Sequence, residues 1–276
     1  MWPILRAITK AFDAVMMPFA GLHPWVGLAV VSVVTGVVML LIFGKTSNQK
    51  KIGETKDKLK AYIMEMWIFR NSTLVMFSAI GNVLKSNVQY LRHSLRPIVF
   101  LIVPVLIIMV QLGIRYANEP LMPGDTAVVA VKLKEGAAPS QTDLRLIAPK
   151  GIRVMSPALR IDAESEVDWE IRAEQPGKHE LVLVSGDREV RKSLDVGPRR
   201  RLGKVGFMKA RANSWNAFLY PAEPPVASDS IIESVTVTYP HLELKFFGLT
   251  VHWLVAFFII SVAAGFALKG VFGIEV

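Results

Sequence analysis

The sequence predicts an α-helical membrane protein with three transmembrane helices and a cytoplasmic helical hairpin. It also predicts an extracytoplasmic all-β, immunoglobulin-like sandwich inserted between the second and third spans. Three observations carry this. Hydrophobic residues make up 52% of the 276-residue chain, and the excess is gathered into blocks. Lys45–Arg96, between the first two blocks, holds ten Lys and Arg residues opposed only by Glu54, Asp57 and Glu65. Between the second and third blocks, short β-favouring runs recur with Gly and Pro between them.

The elements follow in order. Met1–Phe19 places apolar residues at Trp2, Leu5, Ile8, Phe12, Val15, Met16 and Phe19, with Arg6, Lys10 and Asp13 between them. This is helical spacing with a polar face, so residues 1–24 are expected to form an amphipathic helix in the outer interface. Residues 25–44 are an unbroken apolar run of crossing length, with Trp25 at the interface. Residues 45–96 read as a basic cytoplasmic hairpin. Lys45–Lys60 is polar and helix-favouring, and Tyr62–Leu84 is apolar but interrupted by Glu65, Arg70, Asn71 and Asn82, with a turn expected near Arg70–Thr73. Residues 97–115 form the second span. Its apolar part, Pro97–Gly113, is short, and Pro104 removes a backbone donor midway. Residues 120–197 hold the sandwich, residues 198–246 a juxtamembrane extracytoplasmic segment in which Ser234–Leu244 adds a strand, and residues 247–268 the third span, closed by Lys269.

Strands are expected at Ala127–Lys134, Thr142–Pro149, Ile152–Ile161, Glu166–Ala173, His179–Ser185 and Glu189–Val196. Val167, Trp169 and Ile171 alternate with Asp168, Glu170 and Arg172, the pattern of a strand with one buried face. Basic residues near span ends stay in the cytoplasm. That rule puts the N-terminus outside, the hairpin inside, the β segment outside and the C-terminus in the cytoplasm, in a cell (inner) membrane. Arg199, Arg200 and Arg201 then lie outside, far from either span, where the rule loses force.

Composition also excludes. The net charge of +9 is concentrated in the hairpin, next to apolar spans, which favours anionic headgroups or a ribosome over specific nucleic-acid recognition. The chain has no cysteine, so disulfides, thiolate metal sites and cysteine nucleophiles are ruled out. His23, His93, His179, His241 and His252 show no ligand spacing on one helix face. The alternating acidic residues from Asp162 to Glu170 read as a solvated sheet face. No catalytic residues, metal ligands or cofactor are expected, and the chain is not read as an enzyme.

The residues singled out are polar groups inside apolar runs: Ser32 and Thr35 in the first, Gln111 in the second, His252 and Ser261 in the third. Such groups either bond back to their own helix or line a partly hydrated groove that lowers the desolvation cost of a passing polar chain. In the hairpin, Met64, Met66 and Met76 with Trp67, Phe69 and Phe77 offer a soft apolar surface. It suits transient capture of hydrophobic segments, or packing of the hairpin on itself. Lys50, Lys51, Lys56, Lys58 and Lys60 are expected to meet a ribosome or anionic lipid.

Three stretches then carry a resemblance: Asn48–Ile52 after the first run, Leu91–Pro104 (LRHSLRPIVFLIVP) leading into the second, and His252–Gly273 (HWLVAFFIISVAAGFALKGVFG) in the third. In this order they resemble the YidC/Oxa/Alb superfamily of membrane protein insertases, in the branch of the archaeal YidC-like proteins and the third subunit of the endoplasmic-reticulum membrane protein complex. The resemblance implies a groove among the spans and an insertase-like or chaperone-like role. The partners it implies are membrane lipids, nascent membrane proteins, and a ribosome or translocon. Two departures stand out. No basic residue lies within Trp25–Gly44, where many members place one, and the β segment is an addition that suits an extracytoplasmic protein partner. The alternative function is a membrane-anchored scaffolding subunit that binds a partner through that β domain.

Overall fold

The computed structural model describes residues 2–68, 73–198, 204–211, 214–246 and 248–274. The chain forms two compact units, one of Met1–Gly27 with Ile108–Trp253 and one of Leu28–Ile107 with Leu254–Val276. Helix α1 (Trp2–Met16) is followed by a short 3-10 turn, Met17–Phe19. Then come α2 (Pro24–Thr46), α3 (Gln49–Ile68) and α4 (Thr73–Tyr116). The expected hairpin turn at Arg70–Thr73 lies almost wholly outside the described residues, as do Arg199, Arg200 and Arg201.

Local chemistry sets several of these ends. The Asn48 side chain accepts the Lys51 backbone N–H at 3.1 Å, capping the start of α3. α4 runs unbroken for 44 residues through Pro97 and Pro104, so the second hairpin arm and the second apolar run are one helix. From Pro97 to Tyr116 that helix has 20 residues, about 30 Å of rise, so it continues past the apolar run that ends at Gly113 and carries Arg115 in its last turn. This segment and α2 are the two described helices long and apolar enough to cross a membrane. The third apolar run is helical only as α6 (Trp253–Leu268), a shorter element.

In the first unit, β1 (Thr126–Leu133), β2 (Leu144–Ile147), β3 (Ile152–Val154), β4 (Leu159–Ile161), β5 (Glu166–Ala173), β6 (Gly177–Ser185), β7 (Arg188–Val196), β8 (Met208–Ala210), a short helix α5 (Ser214–Leu219), β9 (Ile232–Val237), β10 (Leu244–Phe246) and β11 (Leu249–Val251) follow in sequence. One sheet has the order β3-β5-β1-β9-β8, with β4 also on β5. A second has the order β2-β6-β7, and β10-β11 is a separate pair. The pairings within these sheets are antiparallel. The two larger sheets bury one shared core. Val129, Val131, Val167, Trp169 and Ile171 come from the first, and Leu144, Leu181, Leu183 and Leu194 from the second. The alternation expected across Val167–Ile171 is the inward face of β5.

Three features depart from the sequence reading. The run Ile152–Ile161 is split into β3 and β4 around Ser156 and Pro157: the Ser156 hydroxyl, not a backbone carbonyl, accepts the Glu170 N–H, and Pro157 has no N–H to add to the ladder. The boundary expected at residue 197 does not coincide with a sheet edge. β8 and β9 come from the stretch read as juxtamembrane, and β9 pairs with β1 at the centre of the sheet. The run read as a third span from residue 247 begins as a strand, with Gly248 at φ +85°, and becomes helical at Trp253.

Candidate functional site

A groove of about 300 Å³ lies in the second unit between α2, α4 and α6. Helical spacing builds it. α2 contributes Thr35 and Gly36, Met39 and Leu40, then Phe43; α4 contributes Leu101 and Val105; α6 contributes Phe257 and Phe258, Ser261 and Val262, then Gly265 and Phe266. These are steps of four, so each helix presents one face to the same space. The backbones of α2 and α6 approach closely at its floor. A Cβ on Gly36 would collide with the Ser261 carbonyl oxygen and stand 3.2 Å from the Ala264 Cβ, and one on Gly265 would stand 3.6 Å from the Gly36 oxygen. Small residues at a helix crossing permit this approach. Phe258, Val262 and Phe266 stay exposed along the rim.

The structure brings two of the five expected groove residues together, Thr35 and Ser261. The Ser261 hydroxyl donates to the Phe258 carbonyl at 3.1 Å, and the fully buried Ser32 donates to Leu28 at 2.6 Å. These two hydroxyls are thus satisfied on their own helices, and the groove is an apolar surface edged by hydroxyls. Gln111 and His252 belong to the first unit. His252 is exposed at the junction before α6, its ring 5.7 Å from that of Trp253. The lining glycines and phenylalanines were not singled out from sequence; their signal was the four-residue repeat of small and aromatic residues in α6.

Gln111 takes part in a buried polar network that sequence reasoning missed. Its amide donates to the Thr9 hydroxyl at 3.0 Å and its oxygen accepts from Arg115 at 3.0 Å. Arg115 is 4% exposed; it also donates to the Gln111 carbonyl and to Asp13, each at 2.6 Å. Lys204 donates to the other Asp13 oxygen at 2.6 Å. The polar residue expected on the outer face of α1 is therefore the helix's tether. Burial pushes the Asp13 carboxyl up, but hydrogen bonds and charge from Lys204 and Arg115 outweigh it, and the group lies below its ordinary value. A depressed carboxylate contributes stability that is complete above the unfolded value of about 4 and is lost as pH falls through the folded value. Asp13→Asn should therefore loosen α1 at neutral pH, as acid does in the unaltered chain. Amide exchange across α1 measures this, and unchanged protection in the variant would refute the tether.

In the hairpin, Met64, Trp67 and Phe77 are exposed, Trp67 at 77%, so they do not pack the two arms together. Phe69 and the side chains of Met66 and Met76 lie outside the described residues. Lys50, Lys51, Lys58 and Lys60 are exposed and Lys56 is half-buried. Among the described residues no group of three His, Asp or Glu side chains is placed to hold a metal ion. A larger hollow of about 540 Å³ lies in the first unit beside Lys178, Asp195 and Lys204, and Lys204 is already paired with Asp13.

No family model and no curated protein matches this chain. Among solved structures, domains 4 and 5 of the S-layer protein SbsC are similar at 19% identity over 30% of this chain and 48% of that one, with a TM-score of 0.25. Domains 5–6 of the same protein match at 15% identity over 45% of this chain and 58% of that one, again at 0.25. The fragment rSbsC(31-844) matches at 12% identity over 49% of this chain and 24% of that one, at 0.24. This chain thus spans from a quarter to just over half of the structures it matches, and scores so low carry no common fold.

Proposed function

We propose that this protein is an integral membrane protein of the YidC/Oxa/Alb kind that assists the insertion or folding of other membrane proteins without covalent chemistry. The observation that carries the proposal is the groove between α2, α4 and α6. In this reading α2, the Pro97–Tyr116 segment of α4 and α6 cross a cell (inner) membrane. α3 and the first half of α4 face the cytoplasm, where the basic surplus keeps them, and the β region faces outward. A groove of about 300 Å³ cannot swallow a helix 10 Å or more across. It can seat one apolar stripe of a client helix, with the hydroxyls of Thr35 and Ser261 at its edge for a client's polar side chain. The exposed Met64, Trp67 and Phe77 give the hairpin an adaptable apolar surface for the first encounter, and the exposed lysines suit a ribosome or anionic headgroups.

Site-specific photo-crosslinking tests this. A photoreactive residue at Thr35, which lines the groove, should capture a nascent membrane protein. The same residue at Val38, exposed on α2 outside the groove, should capture lipid. Equal protein capture at both positions would sink the proposal. The second reading is an anchored scaffold, and the observation favouring it is that the β region buries a complete apolar core of its own.

A further inference from the structure

The short member of the three apolar helices is α6. Its 16 residues rise about 24 Å, against a hydrocarbon core of about 30 Å. What precedes it is the hairpin β10–β11, and one residue, His252, separates β11 from α6. The register opposes Leu244 to Val251 and Phe246 to Leu249. Those four side chains share one face of the ribbon, and Lys245 and Thr250 share the other. Leu244 at the base is buried, whereas Phe246 and Leu249 beside the turn are 54% and 71% exposed. A two-stranded ribbon of three-residue strands does not hold itself together in water. This one leans on the first turn of α2: the Trp25 indole N–H donates to the Lys245 carbonyl at 2.9 Å, and the Trp25 and Phe246 rings are 5.5 Å apart. Tryptophan is itself a residue of the membrane–water boundary.

Building on the membrane reading above, we propose that the Leu244–Val251 hairpin is an interfacial anchor whose partner is the lipid of the outer leaflet. Phe246 and Leu249 seat at the acyl-chain boundary and cover the layer that α6 is too short to cross. The chain leaves little choice of depth. Leu249 precedes Trp253 by four residues, so even a fully extended link keeps the tip within about 14 Å of the point where α6 begins. A ribbon with open edges cannot lie in the middle of the hydrocarbon, where its backbone groups would go unpaired. At the boundary, headgroups and water satisfy those edges, Lys245 and Thr250 face the polar layer, and the apolar side chains reach the acyl chains.

The absence of native cysteine makes the test direct. Full-length Leu249→Cys, Thr250→Cys, Val38→Cys and Arg160→Cys variants, each carrying one environment-sensitive fluorophore, are reconstituted into phosphatidylcholine–phosphatidylglycerol vesicles. Lipids spin-labelled on the upper acyl chain, below the headgroup, should quench the Leu249 label at least about twofold more than the Thr250 and Arg160 labels. Lipids labelled near the chain end should quench Val38 best. If Val38 is quenched while Leu249 behaves like Arg160, the anchor is wrong and the membrane reading stands. A Leu249 label shielded from both lipid quencher and aqueous iodide is covered by protein, which also overturns the anchor. If Val38 too escapes every lipid quencher, the membrane reading fails and takes the anchor with it.

Discussion

Gly36→Val is expected to break the packing of α2 on α6, and Gly53→Ala on α3 is expected to stabilise the chain slightly. At Gly36 the obstacle to a side chain is backbone: the carbonyl of Ser261, whose carbon would stand 3.1 Å from a new Cβ. A side-chain obstacle can change rotamer, but a helix backbone can only translate. The two further methyl groups of valine would add contact with Ala264, already 3.2 Å from the Cβ position. Overpacking a core costs about 1–3 kcal/mol where side chains can yield, and here the helices must separate, so a loss at or beyond the top of that range is expected. Separation would also remove the floor of the groove, so crosslinking from Thr35 should vanish together with stability. At Gly53 nothing lies within 4 Å of a new Cβ. Alanine there should gain about 0.5–1 kcal/mol by restricting the unfolded chain. Heating in mild detergent followed by size-exclusion chromatography ranks the variants. A Gly36→Val chain that survives to the same temperature as the unaltered chain would refute the close crossing.

How far the fold was legible depended on whether its cause was local. The alternation of Val167, Trp169 and Ile171 announced a strand with one buried face because burial follows the period of the pleat. The helical runs announced themselves by length and composition. β8 did not: three residues with Lys209 at the centre and Arg211 behind have no strand signature, and the element exists because β9 offers it a ladder. Of the hairpin ahead of α6, only β11 falls inside the run that reads as helix, because an apolar run does not declare its secondary structure; Gly248, with its positive φ, turns the chain into a strand there. In the groove, Thr35 and Ser261 stood out as polar groups in apolar runs. That Gly36 would be the contact point required knowing which face of α6 turns toward α2. The tether of α1 was hidden for a different reason: Asp13 and Arg115 are 102 residues apart, and neither is unusual where it stands.

Lys192→Met is expected to be the most damaging single change in the β region. The Lys192 side chain is fully buried, and its ammonium donates to the Gly206 carbonyl and to the Glu223 carboxylate. The other Glu223 oxygen accepts the Ser193 N–H at 3.0 Å. Burial pushes the Lys192 ammonium below its ordinary value, against the pull of Glu223. The pair is therefore an expensive way to hold a sheet, and a buried pair need not stabilise relative to an apolar replacement. Removing one partner is another matter. Methionine matches the lysine stem but leaves Glu223 charged, buried and unpaired, and leaves the Gly206 carbonyl without its donor. Breaking a buried pair in this way costs about 3–5 kcal/mol, a large share of the roughly 5–15 kcal/mol that holds a domain folded. Adding Glu223→Gln should recover part of the loss, because a neutral amide can still accept from Ser193 and has an N–H to offer Gly206. The double variant should thus be more stable than Lys192→Met alone, although Glu223→Gln by itself strips Lys192 of its counter-charge and should destabilise; additive effects do not allow both results. Urea unfolding of the full chain, followed through the buried Trp169, reads the unaltered chain, both single variants and the double. If the second substitution deepens the loss, the two charges are not coupled as the structure has them.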